Sequence, residues 1–168
     1  MKKQIHSLAM VATCAMTFFA SPANALEMSP TLSLNVARTM ATACESLATQ
    51  KGWRMNIAVV DGGAQPIVFV RMDRSFLGSG DIALTKAQTS AKFPFSTRFV
   101  QELSYGKDGK PAPLPGFVHV RGVVAFAGGL PIRAAGMHIG GIGVSGGTAD
   151  EDETCAQAGI DAVNHLLK

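Results

Sequence analysis

From Val36 onward, Met40, Cys44 and Leu47 repeat at helical spacing, with Thr31 or Ser33 as a cap ahead of them and Gly52 as a stop behind. Met55 to Asp61 and Pro66 to Asp73 are β-rich runs separated by Gly62-Gly63-Ala64-Gln65, the pattern of a hairpin. A second helix is expected from Ser79, with Asp81 in its first turn and Leu84, Ala87 and Ala91 on one face until Pro94 intervenes. Ser96 to Tyr105 reads as a short third helix ending at Gly106, and Lys107 to Gly116, with Pro111, Pro113 and Pro115, reads as a surface loop. Val118 to Ala127, Pro131 to Ala135 and Met137 to Ser145 are strand candidates joined by Gly128-Gly129 and Gly136. The last helix is expected from Thr148 to Leu167. It shows Cys155, Gly159, Ala162 and Leu166 as a small-residue face, and its first-turn acids Asp150 to Glu153 complement the helix dipole. Helix, hairpin, two helices, strand meander, helix is the order of an α+β domain with a mostly antiparallel sheet, not of a parallel βαβ sheet.

The N-terminus breaks this pattern. Lys2 and Lys3, an apolar run from Leu8 to Ala20 and the small stretch Ala23-Asn24-Ala25 follow the plan of a secretory signal peptide cleaved after Ala25. The run is shorter than the roughly 20 residues a bilayer span needs. The expected mature chain, residues 26–168, is then one exported, periplasmic or secreted domain, with no membrane span. The formal charge of +3 includes Lys2 and Lys3, so the mature chain carries about +1, which is no footprint for nucleic acid.

Two literal motifs do not carry their usual chemistry. Gly141-Ile142-Gly143-Val144-Ser145-Gly146 matches G-x-G-x-x-G, but a dinucleotide fingerprint belongs to a βαβ unit, and here the next helix ends the chain behind four acids that would repel a pyrophosphate. Gly143-Val144-Ser145-Gly146-Gly147 matches the hydrolase elbow G-x-S-x-G. The only later histidine, His165, sits four residues after Asp161 on the same helix, so no triad is available. The glycines read better as close backbone approach, with Ser145 and neighbouring N–H groups as candidate pocket lining.

No Cys-x-x-Cys-His permits covalent haem, and no His/Cys spacing resembles a zinc site. His119, His138 and His165 are scattered. Arg71, Asp73, Arg74 and Lys86 gather at the hairpin end and in the next helix, as either a solvated rim or a cationic mouth for carboxylates.

Taken in order, six segments resemble the GlcG/HbpS-like family, whose domain is also fused to PduO-type cobalamin adenosyltransferases. They are Ala58-Val59-Val60-Asp61, Phe69-Val70-Arg71-Met72-Asp73, Ile82 to Phe93 with Lys86-Ala87, Gly128-Gly129-Leu130-Pro131-Ile132, Gly140 to Gly147, and Asp152 to Ala162. The resemblance implies a profilin-like fold with a central antiparallel sheet of about five strands. It also implies a homo-oligomer and, for several members, non-covalent haem binding, with haem degradation or redox sensing in some. Arg74-Ser75 follows Asp73 here where relatives often carry a small Gly-Ala pair, which changes the shape and charge of the pocket mouth.

With that resemblance, the first functional reading is a haem-binding protein rather than a catalyst. The chain offers apolar strands, His119 or His138 as axial metal ligand, and Arg71, Lys86, Arg121 or Arg133 for the propionates. If Val118 to Ala127 is a strand, His119 and Arg121 share one face of it, which favours His119. The alternative is a binding module or enzyme for a small organic acid or a corrinoid, with the same cations and Ser145 holding a carboxylate. Cys44 and Cys155 are the only cysteines left after the leader. The family fold would place their helices side by side, so they form a disulfide or remain two buried thiols.

Overall fold

The computed structural model describes residues 29–168, so the expected leader lies outside the described residues. Helix α1 spans Leu34–Lys51; Ser33 caps it by accepting the Val36 N–H, and Gly52 closes it in the left-handed conformation. Strands β1 (Asn56–Asp61) and β2 (Pro66–Arg71) form the expected hairpin. Helices α2 (Ser79–Lys92) and α3 (Thr97–Tyr105) follow, then β3 (Gly129–Ala134), β4 (Met137–Ser145) and α4 (Ala149–Val163).

The strands make one antiparallel sheet in the order β2-β1-β4-β3. β1 and β4 occupy its middle, and β1 is buried on both faces. Its odd-numbered Ile57 and Val59 join Met40, Cys44, Ile142, Val144 and Cys155 in the main core under α1 and α4, while Ala58 and Val60 pack with Ala87 and Ala91 of α2. A strand covered on both sides reads as a continuous apolar run, as Ile57 to Val60 does.

The described sheet has four strands rather than the expected five. Val118 to Ala127 is not a strand. Pro115 opens a 3-10 turn over Pro115–His119, and the chain then lies against α2. The Thr89 hydroxyl, which donates within its helix to the Thr85 carbonyl at 2.8 Å, accepts from the Val124 N–H and lies 3.3 Å from the Gly122 carbonyl, and the Phe117 ring meets Phe93 edge-on, with centroids 5.0 Å apart. The apolar residues of this segment thus cover a helix instead of pairing in a ladder. The last helix also differs: its buried face is Cys155, Ala156, Gly159 and Val163, while Ala162 and Leu166 are exposed.

Gly141 and Gly143 face α2. A Cβ at Gly143 would lie 2.2 Å from the Ala83 carbonyl oxygen and 2.3 Å from the Ala87 nitrogen, so the helix backbone rests directly on the strand. Gly143→Ala is expected to lower the unfolding free energy by about 1–3 kcal/mol through overpacking. A substitution to Ala at Gly116, which has open space around it, should leave the urea midpoint unchanged.

Candidate functional site

Lys86 is not part of a cationic mouth. Its ammonium is wholly buried between α2, β4 and α4, 2.7 Å from Asp152 Oδ2 and 3.0 Å from the Val144 carbonyl oxygen, with the Phe126 ring 4.7 Å away. Asp152 Oδ1 in turn accepts the Gly147 N–H at 3.0 Å. Burial pushes the Lys86 pKa down and the Asp152 pKa up, each shift opposed by the hydrogen bond between them. The backbone closes over this pair at Gly128, where a Cβ would come within 2.7 Å of both Lys86 Nζ and the Asp152 Cβ. Burial, rather than a lack of donors, therefore keeps Lys86 from a propionate.

The other acids of the α4 first turn are also engaged. Glu151 completes a capping box with Thr148, and Asp150 and Glu153 both hold Arg98 of α3. Ser145 is buried at the end of β4 opposite Asn56, it lines none of the cavities described here, and the nearby Gly147 N–H belongs to Asp152. The expected carboxylate site around Ser145 does not form.

Arg133 and His138 meet at the C-terminal end of α2. Arg133 Nη2 donates to the Pro94 carbonyl at 3.1 Å, and His138 Nε2 donates to the Ala91 carbonyl at 2.8 Å, positions where basic groups complement a helix terminus. A register shift between Ile132 and Arg133 leaves Ile139 without a partner on β3, and His138 lies at this irregularity. With Nε2 donating, its remaining nitrogen, Nδ1, is buried and has no partner among the described residues. His138 also lines a cavity of about 350 Å³ with Leu32, Asp61, Ile67 and Ile139, but its Nε2 is engaged by Ala91 and its Nδ1 is buried. Met137, the softer donor beside it, packs against the main core.

His119 and Arg121 remain available. Both are exposed, on the 3-10 turn and just after it, and neither makes a side-chain hydrogen bond among the described residues. Leu114, Val120 and Phe126 of the same segment are exposed as well. The two residues do not owe this to strand alternation, since no strand forms there. No cavity described here is lined by His119, so the site is an open surface.

Arg71 lies elsewhere. It stands between a cavity of about 480 Å³ lined also by Glu45, Arg54, Met72, Asp73 and Arg74, and a groove of about 630 Å³ between β2 and the start of α2. Arg74, at the position flagged by the sequence, thus adds its charge to the first cavity and has a positive φ of 65°.

A family model described as "Haem degrading protein HbpS-like" matches residues 32–161. The chain belongs to the HbpS-like family. It is similar in structure to the Klebsiella pneumoniae protein ORFY, with a TM-score of 0.78 and 32% identity over 86% of this chain and 98% of that one. HbpS itself aligns with a TM-score of 0.74 and 30% identity over 86% of this chain and 98% of that one. A structure solved as a PduOC:heme complex aligns with a TM-score of 0.72 and 27% identity over 80% of this chain and 96% of that one. Family members therefore bind haem. In this HbpS-like chain the segment from Leu114 to Phe126 exposes an imidazole at His119, a cation at Arg121 and the apolar Leu114, Val120 and Phe126, the kinds of group that haem requires. Among the described residues no cluster of three or more His, Cys, Asp or Glu side chains could hold a bare metal ion, and haem iron needs no such cluster.

Proposed function

We propose that the protein binds haem non-covalently, with His119 as axial ligand and Arg121 as propionate partner, and that it does so as an exported homo-oligomer. The observation that carries this reading is the contrast between the two candidate imidazoles. His138 donates Nε2 to Ala91 and buries Nδ1, whereas His119 is exposed and free of side-chain hydrogen bonds among the described residues. The likeness to the PduOC:heme complex supports the ligand, and the Lys2 to Ala25 pattern supports export. When bound, haem supplies redox-active iron. The chain's part is to hold it: His119 ligates, Arg121 neutralises a propionate, and the exposed apolar residues exclude water from the ring edge. A second copy would enclose a ring that a single chain leaves open.

Haemin titration tests this in the Soret region. His119→Ala is expected to lose the wild-type band position and roughly tenfold or more in affinity, whereas His138→Ala, with fold and assembly checked, keeps both. If His119→Ala retains band and affinity, the axial assignment fails. A wild type without saturable binding removes the haem reading. Light scattering tests the assembly, which a monomer mass at micromolar concentration would overturn.

A further inference from the structure

The groove of about 630 Å³ between β2 and α2 is built for something other than an iron porphyrin: none of its lining residues is a histidine, methionine, tyrosine or cysteine. Its walls are Phe69, Leu77 and Leu84, with Arg71 on one side and Gly78, Gly80 and Asp81 of the helix start on the other. Asn56 also lines it, although the residue is fully buried. The Ser79 hydroxyl donates to the Phe76 carbonyl at 2.7 Å and so receives Asn56 Nδ2 at 2.5 Å, which sets the orientation of the amide. Asn56 Oδ1 is then left buried with no partner among the described residues. A buried acceptor without a donor loses its hydration with nothing in return, so its retention at a cavity wall calls for an explanation.

Gly80 points the same way. It is the second residue of α2, and its φ lies outside the left-handed region that favours glycine. A Cβ there would stand 3.6 Å from the Phe69 ring and 3.9 Å from Asn56 Oδ1, filling the space in front of the orphan oxygen. Glycine keeps a side chain out of that space. Gly78 at the N-cap offers the helix no side-chain acceptor, and Arg71 has no ion-pair partner among the described residues, so both would receive an anion.

We propose that this groove binds a small carboxylic acid bearing a hydroxyl or ammonium group beside the carboxylate and an apolar tail. The carboxylate meets Arg71 and the start of α2, the hydroxyl or ammonium donates to Asn56 Oδ1, and the tail lies along Phe69, Leu77 and Leu84. Asp81 on the rim favours the ammonium form of the same skeleton. The site is separate from His119 and does not depend on the haem reading.

Calorimetry on the haem-free full chain at neutral pH, using 3-phenyllactate, phenylalanine and 3-phenylpropanoate, tests the proposal, since the three probes share a skeleton and differ in the donor. Phenyllactate or phenylalanine is expected to bind saturably and at least roughly tenfold tighter than 3-phenylpropanoate. Gly80→Ala, which should fold because its Cβ makes only ordinary contacts, is expected to weaken the tighter probe at least tenfold, as is Arg71→Gln. Haemin titration of Gly80→Ala should match wild type, which keeps this result separate from the haem test. Equal binding of all three probes, absence of saturation at millimolar concentration, or full affinity in a folded Gly80→Ala would each overturn the site.

Discussion

Lys86→Ala is expected to lower the unfolding free energy by about 3–5 kcal/mol, because it leaves the Asp152 carboxylate buried without its cation. Urea denaturation followed by circular dichroism measures it, and a loss below about 1 kcal/mol would mean that the pair is not closed off from water. Lys86→Met combined with Asp152→Asn should recover most of the loss, since Asn keeps an acceptor for the Gly147 N–H and neither residue is charged. The comparison has a definite pH dependence. Burial lowers the Lys86 pKa below 10.5, so between its folded value and 10.5 the unfolded chain holds the proton more tightly and the lysine's contribution to stability rises with pH. Burial raises the Asp152 pKa above 3.8, so its contribution is complete below 3.8 and is lost as pH rises through the folded value. Wild type should therefore compare least favourably with the uncharged double variant near neutral pH, and better toward either extreme.

The second large effect concerns Cys44 and Cys155, which the structure joins across a sequence separation of 111 residues with Cα atoms 4.7 Å apart. Cys44→Ser with Cys155→Ser is expected to cost about 2–4 kcal/mol, mostly through the larger freedom of the unfolded chain. The same loss should follow reduction of the wild type. Non-reducing peptide mapping of protein from an oxidising compartment should find the two cysteine peptides linked. Two freely alkylated thiols would overturn the bond.

Most elements were legible because their signals are local. Ser33 and Gly52 bracket α1, Thr148 and Glu151 supply both halves of a capping box, and Gly62-Gly63 marks the hairpin. The strand expected over Val118 to Ala127 failed because β-rich composition does not say whether an apolar run will find a sheet edge or a helix to cover. Thr89 and Phe93, far off in sequence, decide that here. Site chemistry was less legible for the same reason. Lys86 reads as one more surface cation until Asp152, 66 residues away, is brought to it beneath Gly128. His138 reads as a metal donor until α2 ends beside it and the Ala91 carbonyl accepts its Nε2–H. Arg71, Asn56 and Gly80 come from three elements, and only the Arg71 cation was visible beforehand.

The pairing of α1 with α4 sets an order of events during synthesis. The interior stripe of α1, Ala37, Met40, Ala41, Cys44 and Ala48, is covered by a helix that begins only at Ala149. The central strand β1 likewise waits for β4 as its second neighbour. A growing chain can complete the β1–β2 hairpin early and lay α1 against it, yet the side of α1 that meets α4 stays uncovered until Ala149 to Val163 have emerged. Such non-local closure slows folding and lengthens the interval in which nascent chains adhere to one another. Truncations that remove α4 are thus expected to yield aggregating fragments rather than a smaller folded protein, and a chaperone that shields apolar helices would have its main task in that interval.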